Sequence, residues 1–524
     1  MKLKLLFALL FATVSNAQTQ IGQDIMGDMP DDKFGWGVAL SADGNVMAVS
    51  APENDNNGTN TGHIRIYSKT NGTWTQIGQD IEGTNADDQI GYKIALSDDG
   101  TTVAFSAVSA KRTTNNLSHR GYISVYKYLN NSWTKVGQDI IDTESGQFGL
   151  SISLSSNGST IAISSPGIQS TFFEQIQVYK NTAGSWQKIG GFRRIDNIEN
   201  DNISPNYYGW NVSLSGDATV IAFTDVQGGI NGGTNTNGIL YVYKYQLGTW
   251  VKLGNTISAK KQNDTFGFRV ALSYDGSIVS VTSQGHFTNG NSFGAISVYK
   301  NVANNWLQIG NDIVGDAAMD FCSEGLAMSA NGNALAIGCT GCDTANGTDT
   351  GKVRIFENIQ NNWVEKGSVI GAKAGDKIGW SIALSKDGYN LAVGNSGNSS
   401  VGGKPYTTNF EEQTFSDNLL QANNYQAKGT FPGSVQVFNL SGILSSDSFV
   451  LENFNIYPNP TTDILNIELK ENLTLEKVLI YNTSGQLVKE TSEKIINVSG
   501  FAKGIYNVQV LTNHGKATKK VIVK

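Results

Sequence analysis

The stretch FGWGVALSADG, residues 34 to 44, reads as a strand running into a tight turn. Trp36, Val38 and Leu40 alternate with Gly35, Gly37 and Ala39, so such a strand carries bulk on one face and almost none on the other. That suits a crowded centre, where the large face of one unit packs on the small face of the next. Asp43-Gly44 then supplies a two-residue hairpin signal.

The same stretch recurs along the chain. IGYKIALS (90 to 97), FGLSISLS (148 to 155), YGWNVSLS (208 to 215), FGFRVALS (266 to 273), CSEGLAMS (322 to 329) and IGWSIALS (378 to 385) repeat it. The closing serines, Ser41, Ser97, Ser155, Ser215, Ser273, Ser329 and Ser385, stand 56, 58, 60, 58, 56 and 56 residues apart. Repetition at this period predicts the blades of a β-propeller. Turn signals follow in six copies: Asp43-Gly44, Asp99-Gly100, Asn157-Gly158, Asp275-Gly276, Asn331-Gly332 and Asp387-Gly388. A second strand comes next, such as Met47-Ala48-Val49. A third ends on an aromatic residue, from IRIY (64 to 67) to VQVF (435 to 438), and a fourth begins at Trp74, Trp133, Trp186, Trp250, Trp306 or Trp363.

Only six such tryptophans exist, and the seventh copy stops at Phe438 without a fourth strand. The missing piece stands at the other end of the chain. TQIGQDI, found behind Trp74 at residues 75 to 81, is spelled identically at residues 19 to 25. The expected fold is therefore all-β: a seven-bladed β-propeller over residues 18 to 440, closed by its N-terminal strand so that no sheet edge is left open. A linker (441 to 452) and a small antiparallel β-sandwich (453 to 524) follow.

Residues 1 to 17 read as a signal peptide, with Lys2 and Lys4 ahead of an apolar run and small residues Ser15 and Ala17 before the cut. No later run approaches the roughly 20 apolar residues of a membrane helix. With 45 acidic against 38 basic residues, a net charge of -7 and no basic block, the chain does not look like a nucleic-acid binder. Fifty-nine glycines against 8 prolines fit many tight turns. Three cysteines, Cys322, Cys339 and Cys342, all fall in the sixth copy; the Asn331-Gly332 turn sets Cys322 opposite residue 341, so a local bridge to Cys339 or Cys342, or else buried thiols, is expected.

The repeats resemble the FG-GAP repeats of integrin-alpha-type propellers. The resemblance is carried by residues 34 to 68, with Phe34-Gly35, Ala51-Pro52 after the second strand and Gly62 before the third. That family often holds calcium between its first two strands, but here the loop has shrunk to Ser-x-Asp-Gly, so no metal and no cofactor is expected. The oxygen-rich run Glu53, Asp55, Asn57 lacks the closing acid of a calcium loop and reads as solvated loop.

Strand parity sends the long second-to-third-strand loops to one face, and binding residues are sought there. Asp32, Asp88, Asp264, Asp320 and Asp376 each stand two residues before a first strand. They are candidates for a ligand-binding ring of carboxylates; the alternative is that each bonds the backbone of its own loop. Phe172, Phe173, Tyr207, Tyr208 and Phe287 are candidate stacking residues. Catalytic signatures fail: GNSFG (290 to 294) precedes a strand rather than a helix, and no His-Glu-x-x-His occurs. No catalytic residue is assigned.

The C-terminal segment resembles the type IX (Por) secretion sorting domain of Bacteroidetes. Tyr457-Pro458-Asn459-Pro460, the Tyr481 to Gln486 hairpin, Gly500 to Tyr506 and Lys519 to Lys524 carry the resemblance. It implies export through the periplasm to the cell surface or medium, with the type IX machinery and its sortase as partners of residues 453 to 524. The expected function is a non-enzymatic binding or adhesion module for a glycan or surface protein. A polysaccharide hydrolase or lyase and a structural surface component are the alternatives.

Overall fold

A computed structural model describes residues 18–114, 117–142, 148–166, 174–193, 208–226, 238–261, 264–284, 287–288, 291–396, 431–441, 443–444, 454–470, 473–482, 487–512 and 515–524. Residues 1–17, expected to be a signal peptide, most of residues 441–452, and Phe172, Phe173 and Tyr207 lie outside them, as does the Phe287 side chain. All regular structure among the described residues is strand, and every sheet is antiparallel.

Seven sheets follow the repeat, each built on a path of four strands and five of them with a short fifth strand beside the third, and their first strands are Gly37–Leu40 (sheet I), Ile94–Leu96 (II), Ile152–Leu154 (III), Tyr208–Leu214 (IV), Phe266–Leu272 (V), Cys322–Met328 (VI) and Ser381–Leu384 (VII). Sheets I to VI take four strands in chain order. Sheet VII has only three of its own, ending at Ser434–Asn439, and its fourth is N-terminal: Thr19 pairs Asn439, and Ile25 pairs Val435.

The tryptophans explain why TQIGQDI is spelled twice. Trp133 Nε1 donates to the Ile77 carbonyl of the preceding sheet at 2.9 Å, while Gln79 Nε2 donates to the Trp133 carbonyl at 2.8 Å. Trp74 makes the same pair of bonds with Ile21 (3.2 Å) and Gln23 (2.9 Å). The N-terminal copy thus latches sheet I as an internal copy latches sheet II.

Hydrophobic burial lies between sheets. One cluster joins VII to I through Val437, Ala392, Met47 and Val49, and six more join each successive pair up to VI and VII. A cycle of backbone bonds accompanies them. The residue after each closing serine donates its N–H to the matching carbonyl in the next sheet: Ala42 to Asp98, Asp98 to Ser156, Ser156 to Gly216, Gly216 to Tyr274, Tyr274 to Ala330, Ala330 to Lys386, and Lys386 back to Ala42, all between 2.8 and 3.0 Å.

The closing serine is itself a clamp. Ser97 Oγ donates to Asp99 Oδ1 at 2.5 Å and accepts the Thr102 N–H at 2.9 Å, and Asp99 accepts the Thr101 N–H. The same Ser-to-Asp or Ser-to-Asn bond recurs in all seven sheets. The fourth copy, which lacks the Asp-Gly signal, turns the same way with Ala218 at φ 59°.

The expected cysteine bridge is made, to Cys339, but the expected register needs a correction. Cys322 is bonded to Cys339, and these two are also paired in register, because the strand bulges between Cys322 and Gly325 and moves Cys322 two places from its expected partner. Cys342 is free and buried. A second correction concerns Tyr208, which is fully buried against Phe223 and Tyr241 and offers no stacking face to a ligand.

Leu440, Ile443 and Leu444 pack into the VI–VII cluster. Beyond them, residues 454 to 524 form two antiparallel sheets, one of Phe454–Tyr457, Ile464–Leu469 and Ile495–Asn497, the other of Leu475–Asn482, Leu487–Thr491, Gly504–Thr512 and Gly515–Val523. One core joins them, built on Phe454, Ile467, Val478, Ile480, Val508 and Val521.

Candidate functional site

A first strand at the end of its sheet leaves one row of N–H groups without a ladder partner. Small polar side chains on the neighbouring first strand take several of them. Val38 N–H reaches Ser381 Oγ (2.9 Å), Leu214 N–H reaches Ser153 Oγ (2.9 Å), Val270 N–H reaches Asn211 Oδ1 (3.0 Å) and Leu272 N–H reaches Ser213 Oγ (3.0 Å). The first strands of all seven sheets line a cavity of about 280 Å³.

Its lining residues stand at or near the beginnings of the first strands. Trp36, Tyr92 and Trp380 wall one side, with Trp36 and Trp380 centroids 5.7 Å apart and the Trp36 indole N–H held by the Tyr92 carbonyl at 3.1 Å. The opposite end is drawn together by Lys386, whose Nζ reaches Asp98 and Ser156 at 3.2 Å each and lies 4.3 Å from the Tyr274 ring.

Two cations line the cavity. Lys93 Nζ lies 5.9 Å and the Arg269 guanidinium 5.1 Å from the centroid of the same Trp380 ring. Arg269 also stacks on Phe268 at 4.9 Å and donates Nε–H to the Glu324 carbonyl at 2.9 Å. Enclosure by the cavity walls, reinforced by the Arg269 charge, holds the Lys93 ammonium well below its usual range. Glu324 is the one carboxyl among the lining residues; Thr340 donates to its Oε2, and Gln284 donates to its Oε1 at 3.4 Å. Burial raises it to about 7.

The five aspartates occupy the loops leading into their first strands, and none is among the cavity-lining residues. Asp32 accepts from Asn54 Nδ2 (2.7 Å), Asp88 from Asn85 Nδ2 (2.9 Å) and Tyr122 OH (3.1 Å), Asp320 from the Ala317 N–H (2.7 Å), and Asp376 from the Lys373 N–H (2.9 Å). Asp264 is buried as well. The nearby Glu53 pairs with Lys33, and Asp55 accepts the Asn60 N–H at 2.7 Å.

Lys93 and Arg269 were absent from the sequence-based candidates. Their place in the repeat, the residue before the first apolar pair of each first strand, holds Gly37, Ser151, Asn211, Gly325 and Ser381 in the other copies. Aligning the copies at that one position makes two cations stand out against small residues.

Residues 28–67 match the family model described as FG-GAP repeat, and residues 455–524 match the Secretion system C-terminal sorting domain. The chain thus carries an FG-GAP repeat and a type IX sorting domain, which engages the type IX secretion machinery and sends the protein to the cell surface or extracellular space. It is similar to ulvan lyase NLR42 of Nonlabens ulvanivorans, 36% identical over 88 residues that cover 16% of this chain and 16% of that protein. No described helix is long and apolar enough to cross a membrane.

Proposed function

We propose that the seven sheets are the blades of a closed seven-bladed β-propeller, and that the exported protein is a non-catalytic binding module for surface or environmental glycans. The cycle of seven backbone bonds and the cluster in every sheet-to-sheet interface support the closed form. The observation that carries the binding reading is the cavity lined by all seven first strands, where the half-buried indole of Trp380 stands beside polar groups and is backed by the buried Trp36. Aromatic faces stack on the apolar faces of sugar rings while nearby polar groups fix orientation. The sorting domain, on this reading, is removed by its sortase when the propeller is released or attached to surface lipopolysaccharide.

A glycan array probed with the full exported protein, with and without EDTA, tests this. A specific hit supports a glycan-binding module, and a blank array at high protein concentration overturns it in favour of a protein ligand or self-assembly. Loss of a hit in EDTA would reveal a metal where none is expected.

The likeness to a protein named for ulvan cleavage favours a second reading, polysaccharide lysis. Incubation with acidic polysaccharides separates the two, since a lyase releases unsaturated products with new ultraviolet absorbance and a binding module leaves the polymer intact.

A further inference from the structure

An asparagine followed by glycine can lose its side-chain amide without a catalyst: the glycine nitrogen attacks the asparagine Cγ, and a glycine has no Cβ to block the approach. Five Asn-Gly pairs are described in full, beginning at Asn57, Asn71, Asn157, Asn331 and Asn346. Those at Asn57, Asn71 and Asn346 share the spelling Asn-Gly-Thr, so their intrinsic chemistry is alike and the fold decides between them. Four of the five are held at both reacting groups. Asn57 and Asn346 donate Nδ2–H to the Gly83 and Gly371 carbonyls at 2.7 and 2.8 Å, while Asn157 and Asn331 accept at Oδ1 from Ser155 and Ser329 Oγ at 2.9 and 2.8 Å. The N–H groups of Gly58, Gly158, Gly332 and Gly347 each donate to the carbonyl three residues back, at 2.9 to 3.1 Å.

Asn71-Gly72 has neither restraint. It is the exposed tip of the sheet I hairpin between Thr70 and Thr73, and among the described residues nothing accepts the Gly72 N–H or hydrogen-bonds the Asn71 side chain. Nothing lies within 4 Å of where a Gly72 Cβ would stand, so the tip has room to swing open. The tip also touches the N-terminal strand: a Cβ on Gly22 would come 2.5 Å from the Gly72 carbonyl oxygen, next to the Trp74 that holds Ile21 and Gln23.

We infer that Asn71 is a site of spontaneous deamidation, and that its conversion loosens the N-terminal latch. The Gly72 nitrogen bonds to Asn71 Cγ, the side-chain nitrogen leaves as ammonia with the Gly72 amide proton, and water opens the resulting cyclic imide at either carbonyl. One product is aspartate. The other, isoaspartate, routes the main chain through Cβ and so lengthens a two-residue turn, which displaces the Gly72 carbonyl from its place against Gly22.

Peptide mapping by mass spectrometry of the full exported protein, sampled during incubation at mildly alkaline pH, tests this. Asn71 should convert at least tenfold faster than Asn57, Asn157, Asn331 or Asn346, with isoaspartate separated from aspartate by retention time. In urea the three Asn-Gly-Thr sites should convert at closely similar rates. Folded protein in which Asn57 or Asn346 keeps pace with Asn71, or in which Asn71 stays intact, would overturn the inference; so would the same gap in urea, which would assign it to sequence and not to fold. Asn71→Gln should abolish conversion at that position, and Gln360 takes the same hairpin place in sheet VI at φ 53°, so the turn accommodates it. The melting temperature of the parent protein should fall in step with isoaspartate at residue 71 while that of the variant holds. A melting temperature unmoved by full conversion would overturn the link to the latch.

Discussion

Lys386 donates its backbone N–H to the carbonyl of Ala42 at 3.0 Å, so the last repeat bonds the first with the geometry that joins every neighbouring pair between them. The contact is possible because sheet VII stands beside sheet I, and sheet VII is complete only with the N-terminal strand.

Deleting residues 18 to 26 should therefore expose the Ser434–Asn439 edge and free Trp74 from Ile21 and Gln23. An unpaired edge invites strand addition from another copy. Size-exclusion chromatography should show oligomers or aggregate, reversed by adding a peptide of residues 18 to 26. A truncated protein that stays monomeric and keeps its melting temperature would refute the latch.

Ser97→Ala should lower stability by about 1–3 kcal/mol, because it leaves the buried Thr102 N–H without an acceptor and removes a bond to Asp99. Asp99→Asn should change it by less than about 0.5 kcal/mol, since Asn157 and Asn331 fill the same place natively. Urea unfolding of both variants checks the pair of outcomes together.

His63 is fully buried with neither ring nitrogen hydrogen-bonded, and burial lowers it to about 4. Above about pH 6.5 the imidazole is neutral in both folded and unfolded chains, so it contributes no pH dependence there. Between about 6.5 and 4 the unfolded chain takes up a proton that the fold refuses, and stability falls by up to about 3 kcal/mol. The urea midpoint should drop from pH 7.5 to 4.5, and His63→Leu should drop less. Equal slopes in the two proteins would assign the acid sensitivity elsewhere.

The Cys322–Cys339 bond closes a separation of 17 residues, and its reduction should cost roughly 3 kcal/mol. Cys342 should resist alkylation in the native protein, because burial raises its thiol to about 12 and withholds the reactive thiolate. Mass spectrometry after iodoacetamide treatment should find no label before unfolding and one label after it without reductant. Rapid native labelling would place Cys342 at the surface.

The repeat was legible because it imposes the same physical demand seven times. Alternation of large and small residues marks each first strand, and the orphan TQIGQDI marked the strand exchange. The fourth copy hid its turn because Ala218 takes the left-handed backbone conformation that glycine occupies elsewhere. The bridge to Cys339 was among those expected, but the register partner of Cys322 was off by two because a bulge follows no residue pattern short enough to read. The cavity was the least legible part. Lys93 and Arg269 lie far apart in sequence and meet over Trp380, which belongs to a third repeat, so no linear spacing announces them.

The pairing of Thr19 with Asn439 also sets a timetable. A chain made or exported from its N-terminus presents residues 19 to 26 first, yet their partner strand arrives last of the seven repeats. Until then the opening segment has its Trp74 contacts in sheet I but no strand to pair with. Assembly of the final sheet is thus a late, non-local event, slow by the general dependence of folding on sequence separation. Placing the sorting signal after that partner strand means that a chain carrying the export address already contains every strand needed to finish the fold.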